Sequence, residues 1–230
     1  ISERTLPNTL YLSKATQENY EKIANAFDWF RNNLYVIRPT DRRKSIEFTL
    51  DLMEKNVELK KHILNALLEA DVGIDDLSTI TKNMSSDEFS RDLPPEIAAL
   101  ITKTIFKDKN ELKAYRIETM HKGVAFDFYK EESEGTQRMF SLIGYWLDAL
   151  KNGRILVVDE LDTKLHHLLN LFLISLFNDP TQNKTNAQLI FTTHNTNLLD
   201  LDIFRRDQIW FTEKNAEIGS TDLYSLTEYS

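Results

Sequence analysis

The rhythm of apolar and polar positions changes about halfway along the chain. From about residue 15 to 110, apolar residues recur at steps of three and four, the spacing of one helix face. "TQENYEKIANAFDWFRNNL" places Tyr20, Ile23, Ala24, Phe27 and Phe30 on such a face, with Thr16 as a candidate N-cap. "SIEFTLDLMEKNVELKKHILNALLEADVGI" carries a stripe of Ile46, Leu50, Met53, Val57, Leu64 and Leu67, interrupted by Lys60 and stopped at Gly73. A further helix is expected after Pro94 and Pro95. "TITKNMSSDEFSRD" before it reads as a polar linker. The stretch is too short for a long coiled coil and predicts a helical subdomain.

Near residue 112 the period drops to two. "LKAYRIETMHKGVAFDFYKEE" alternates around Lys122-Gly123, which predicts a β-hairpin. "GTQRMFSLIGYWLDALKNG" returns to a helix, closed by Gly153. Strand 154–158, a helix from about 164 to 177, strand 187–193, a short helical turn near 195–204 and strand 208–214 are expected next. A last hairpin, "IWFTEKNAEIGSTDLYSL", is expected to add strands at one edge. That order is the pattern of an α/β sheet covered by helices. The unbroken aliphatic run "ILVV" predicts a strand of a parallel sheet, buried on both faces.

Composition narrows the function. With 230 residues the chain can bury a sizeable core as one large or two small domains. The net charge is −8, and it leans toward the second half: residues 1–115 hold 17 basic and 19 acidic residues, residues 116–230 hold 11 and 17. A broad electrostatic nucleic-acid surface is therefore not supported. The one basic cluster, "RPTDRRK" with Arg38, Arg42, Arg43 and Lys44, reads as a solvated loop, with a local phosphate contact as the alternative. The lack of cysteine excludes disulfides and thiolate metal sites and points to a reducing, cytoplasmic setting. No apolar run has the length of a membrane span, and no signal peptide opens the chain. The first residue is Ile, so a fragment or processed form is expected.

Three stretches of the second half carry candidate chemistry. Asp159 and Glu160 follow "ILVV", and carboxylates past the C-terminal end of a parallel strand lie where open α/β sheets bind ligands. Asp159 offers a hard oxygen to Mg²⁺, and Glu160 can accept a proton from water. Loop and capping carboxylates explain the pair nearly as often. In "EESEGTQRMF", Ser133 and Gly135 precede a helix whose N-terminus favours an anion, although an N-cap alone explains Ser133. In "LIFTTHNTN", His194 follows a second apolar strand, where an imidazole can bond a γ-phosphate or orient water. Two further pairs are candidates, His166-His167 for a metal and Arg205-Arg206 for phosphate or partner contacts, but a structural reading is favoured for both: neighbouring helix positions point apart, and Asp202 and Asp207 flank the arginines.

Taken in order, these stretches resemble the second half of an ABC-type ATPase head, of the SMC and OLD branch rather than the transporter branch. "EESEGTQRMF…VVDELDTKLHHLL…AQLIFTTHNTNLLD…RRDQIWFTEK" is similar to ATP-binding proteins of bacterial abortive-infection (AbiL-like) phage-defence operons. The resemblance covers about residues 125–226, with a weaker echo in "TLYLSKATQENYEKI…FDWF". It implies an α/β fold: the C-terminal lobe of a P-loop NTPase over residues 112–230, with a parallel-sheet core, plus an all-helical insertion over 13–111. It places Ser133, Gly135, Thr136 and Gln137 at the signature motif, Asp159 and Glu160 at the Walker B pair, and His194 at the switch histidine. ATP and Mg²⁺ are the implied cofactors, and a second copy, joined through ATP, is the implied partner. Each nucleotide would meet Walker B of one copy and the signature serine of the other. The sequence departs from the pattern in two places. The D-loop aspartate position falls on His166, and none of the glycines at 73, 123, 135, 144, 153 and 219 belongs to a GxxxxGK[ST] phosphate loop. The chain alone is thus expected to bind ATP weakly or not at all. Two other classes of function stay in view: a nucleotide-independent scaffold binding an effector or toxin subunit through its helical region, and an SMC-like DNA repair ATPase.

Overall fold

The computed structural model describes residues 10–70, 72–91, 93–105 and 111–229. The junction expected near 111/112 adjoins residues 106–110, which lie outside the described residues. Contact density divides the chain into two compact units, residues 1–40 with 149–230 and residues 41–148.

The first unit begins with helices α1 (Tyr11–Gln17) and α2 (Ala24–Asn33), which run into strand β1 (Leu34–Ile37). Thr16 is no N-cap; it lies inside α1 and its hydroxyl donates to the Leu12 carbonyl at 2.9 Å. Asn19, with a φ of 54°, turns the chain after α1. Tyr20 is extended and Glu21–Ile23 form a separate 3-10 turn before α2, so the expected single face from Tyr20 to Phe30 does not form, and Phe30 stays 48% exposed.

β1 pairs in parallel with the strand Ile155–Val158, which in turn pairs in parallel with Gln188–Phe191. The registers align Val36, Val157 and Ile190 in one row and Ile37, Val158 and Phe191 in the next. Side chains of adjacent rows point to opposite faces. Leu156, Val158 and Ile37 are buried, whereas Val36 is 52% and Ile190 56% exposed. The aliphatic run is thus a parallel strand, but one face of its sheet is open among the described residues, contrary to the expectation of burial on both. The helix His167–Asn178 buries Leu173, Ile174 and Phe177 and packs against Gln188–Phe191. The hairpin Trp210–Lys214 with Thr221–Ser225 forms its own two-stranded sheet. The expected addition of these strands at an edge is corrected: they hydrogen-bond to each other, and among the described residues the parallel sheet ends at Gln188–Phe191.

The second unit holds α3 (Arg42–Lys55), α4 (Val57–Glu69), β2 (Asp76–Ser85), α5 (Ser86–Ser90), α6 (Pro95–Ile105), β3 (Glu111–His121), β4 (Val124–Asp127) and α7 (Glu134–Asn152) up to Asp148. In chain order the strands described above for the first unit are β5 (Ile155–Val158), β6 (Gln188–Phe191), β7 (Trp210–Lys214) and β8 (Thr221–Ser225), and the helix His167–Asn178 is α8.

The stripe from Ile46 to Leu67 is two helices. Asn56 leaves the helical region at φ −145° and caps α4, its side chain accepting from the Leu59 N–H at 3.0 Å. Lys60, the interruption in the stripe, turns outward to Asp76 at 3.2 Å. The hairpin at Lys122-Gly123 forms as expected, both turn residues adopting positive φ. The all-helical reading of 13–111 is corrected by β1 and β2. β2 takes in the first half of the supposed polar linker, α5 follows in the second, and β2 pairs antiparallel with β3 along its whole length. Antiparallel strands tolerate a solvated polar face, so what makes this polar segment a strand is a partner some 35 residues away.

Helix α7 carries the core of this unit: Met139, Phe140, Leu142, Ile143 and Trp146 have no exposed surface. Gly144 lets α3 approach closely, since a Cβ there would stand 2.9 Å from Thr49 Cα. Thr49 in turn donates to the Phe140 carbonyl at 3.2 Å, and Phe48 stacks on Tyr145 at 4.0 Å.

Candidate functional site

At the C-terminal edge of the parallel sheet the backbone ladder runs on past β5. The Asp159 N–H donates to the Ile37 carbonyl at 2.9 Å, and the Thr192 N–H to the Val158 carbonyl at 3.0 Å. The Thr192 hydroxyl then does two jobs, donating to Asp159 Oδ1 at 2.8 Å and accepting from the Glu160 N–H at 2.8 Å. One hydroxyl has the donor and acceptor capacity for both.

Glu160 adopts a φ of 50°, an uncommon conformation for a residue with a Cβ. That turn sends the next residue, Leu161, into the core with no exposed surface. The Glu160 carboxylate accepts from Thr163 Oγ1 at 3.0 Å. A second tie joins the same two loops: Asp162 Oδ1 accepts from Thr193 Oγ1 at 2.7 Å and from the His194 N–H at 3.3 Å. Asp159, Glu160 and His194 are therefore brought to one edge, with Asp159 and His194 exposed and Glu160 half-buried. The threonines and Asp162 that hold them escaped the reading of the sequence. The doublet "TTH" opposite "DELDT" was the available signal, hydroxyls facing carboxylates.

This edge suits Mg²⁺ in one respect: Asp159 offers an exposed carboxylate whose orientation Thr192 fixes. Among the described residues no group of three His, Asp or Glu side chains forms a metal cage. A single carboxylate with water and substrate phosphate is the common way Mg²⁺ is held. His166 caps α8, its Nδ1 accepting from the Leu168 N–H at 3.3 Å. Arg205 pairs with Asp207 at 2.9 Å, and Arg206 donates to the Leu226 carbonyl at 3.1 Å.

The serine stretch belongs to the other unit. Ser133 Oγ accepts from the Thr136 N–H at 3.0 Å and lies 2.9 Å from Thr136 Oγ1, so Ser133 does cap α7. Ser133 remains exposed, and Gly135 and Thr136 are half-buried in the first turn. Gln137 points inward and is only 5% exposed. Its Nε2 donates to the Glu132 carbonyl at 2.9 Å, and its Oε1 accepts from Arg42. Arg42 also stands 3.9 Å from Glu134. The basic cluster is consequently no plain solvated loop: Arg42, Arg43 and Lys44 open α3, and Arg42 faces the turn before α7.

Two comparisons bear on this arrangement. A family model described as "AAA domain, putative AbiEii toxin, Type IV TA system" matches residues 2–200, which include both groups of candidate residues. No curated protein matches the chain.

Proposed function

From the premise that the chain belongs to this AAA-domain family and is thus a P-loop-ATPase-like nucleotide-binding domain, we propose that it is the signature- and Walker B-bearing part of an ABC-type ATPase of the SMC and OLD branch, acting in anti-phage defence through ATP-dependent dimerisation. The observation that carries this reading is the Thr192 hydroxyl bridging Asp159 and the Glu160 backbone. It orients the Asp159 carboxylate and fixes the backbone from which the Glu160 carboxylate departs, at the edge where α/β sheets bind ligands.

In this reading Asp159 would hold Mg²⁺, which when bound offsets charge on the phosphates. Glu160 takes a proton from the water that attacks the γ-phosphorus, the bond to the β-phosphate oxygen breaks, and ADP and phosphate leave. Its tie to Thr163 orients the carboxylate for that transfer. His194 donates to the γ-phosphate or orients the water. Ser133 and the N–H of Gly135 grip the γ-phosphate bound to a second copy. The phosphate loop comes from a segment outside these residues. Two features support that source. β6 is an edge strand, and a cleft of about 320 Å³ lined by Gln188–Phe191 and Phe204 lies beside it. The face bearing Val36 and Ile190 is also open to receive a helix.

The test is light scattering on the protein that includes the phosphate loop and carries Glu160→Gln, with and without Mg-ATP. A nucleotide-dependent monomer-to-dimer shift, abolished by Ser133→Arg, is the expected result. No shift and no ATP binding would leave the scaffold function in its place.

A further inference from the structure

Glu132 immediately precedes Ser133, so whatever fixes the Glu132 carbonyl fixes the start of the serine turn. The group that fixes it is the Gln137 amide, through Nε2 at 2.9 Å. An amide can be turned end for end, which would exchange its donor and acceptor sides. Only one orientation presents Nε2 to Glu132, and in that orientation Oε1 must meet a donor. Arg42 is that donor. A guanidinium has no acceptor, so it rejects the flipped amide outright.

Arg42 acts on a second group as well. Glu134 lies in the first turn of α7, next to where an anion would be gripped, and its negative charge opposes that anion. Arg42 at 3.9 Å from Glu134 Oε1 offsets part of that charge, although Glu134 is well exposed and the effect is screened. The guanidinium fork reaches both partners from one position, a geometry that a lysine point charge does not reproduce.

We infer that Arg42 is the positioning residue of the serine turn: through Gln137 it locks the Glu132 carbonyl and so holds Ser133 in the orientation that meets the phosphate of a second copy. The inference rests on the reading of Ser133 proposed above. It assigns to the first turn of α3 a role that the composition of "RPTDRRK" did not suggest.

Two measurements test it, one independent of nucleotide. Amide hydrogen exchange on the present chain should be faster by roughly tenfold over Glu131–Thr136 in Arg42→Ala, the scale expected for losing a hydrogen bond to a charged group. Gln137→Glu keeps a partner for Arg42 but removes the donor to Glu132, and should speed exchange in the same segment. Combining Arg42→Ala with Gln137→Ala should add little to either single change, since both break one relay. In the protein with the phosphate loop, Arg42→Ala should raise the ATP concentration for half-maximal dimerisation by roughly tenfold while kcat at saturation holds, with Arg42→Lys only partly restoring it. Exchange unchanged in both Arg42→Ala and Gln137→Glu would overturn the inference. If Ser133→Arg leaves dimerisation intact while the exchange effect is present, the signature reading fails and the relay stands as a structural one.

Discussion

Around Asp159 and Glu160, position is enforced by hydroxyls from a neighbouring strand on side chains that stay in contact with solvent. Around Ser133 it is enforced from beneath, by a nearly buried Gln137 and a helix whose core side chains have no exposed surface. The proposed function accounts for the difference by the task it gives each region. A carboxylate that takes a cation and a proton must remain hydrated until substrate arrives, so its supports are local and few. A turn that only presents a hydroxyl and N–H groups can be built on a packed core. Substitutions at the first region should therefore cost chemistry and spare stability, whereas substitutions in the packed helix beneath the second should cost stability first.

The largest expected effect is on chemistry. Glu160→Gln, in the protein carrying the phosphate loop, should lower ATP turnover by roughly 10²- to 10⁴-fold, the usual contribution of a positioned base. Its melting temperature should hardly move. Phosphate release measured under single-turnover conditions checks it, and wild-type turnover would remove Glu160 from the mechanism. Next comes Thr192→Val, which keeps the shape and deletes the shared hydroxyl. If Asp159 holds Mg²⁺ as proposed, losing the hydroxyl that orients it should raise the Mg²⁺ concentration for half-maximal turnover by about 10- to 100-fold. A magnesium titration of the ATPase rate reads this directly.

The complementary effect belongs to α7. Gly144→Ala places a Cβ 2.9 Å from Thr49 Cα, a backbone atom that cannot swing aside. Overpacking of this kind should destabilise the chain by about 1–3 kcal/mol. Urea unfolding of the 230-residue chain measures it, and an unchanged midpoint would show that α3 and α7 can part without cost.

These two regions were also unequally legible in the sequence. β5, α7 and the hairpin at Lys122-Gly123 announce themselves through local period and turn chemistry. Asp159, Glu160 and His194 stand out because two apolar strands lead to them at one edge. What stayed hidden depends on distant partners. β2 is a polar segment made into a strand by β3, and β1 is four residues drawn into the parallel sheet by β5. Arg42 looked like part of a solvated cluster because its partner, Gln137, is 95 positions away. The open face of the sheet was equally invisible, since "ILVV" reads the same whether one or both faces are covered.

The smallest effect separates the regions most cleanly. Glu160 holds a φ of 50°, where a residue with a Cβ is strained by roughly 1–2 kcal/mol and glycine is not. Glycine also gains freedom in the unfolded chain, which takes back about 0.5–1 kcal/mol. Its side chain would forfeit the tie to Thr163, a half-buried hydrogen bond of modest net value. Glu160→Gly should accordingly leave the unfolding free energy within about 1 kcal/mol of the wild type while abolishing turnover. Glu160→Ala, which loses the same carboxylate but keeps the Cβ, should be the less stable of the two. Urea unfolding of the pair decides it. If alanine proves the more stable, the backbone at this position carries no strain, and the carboxylate is held by its side-chain partners alone.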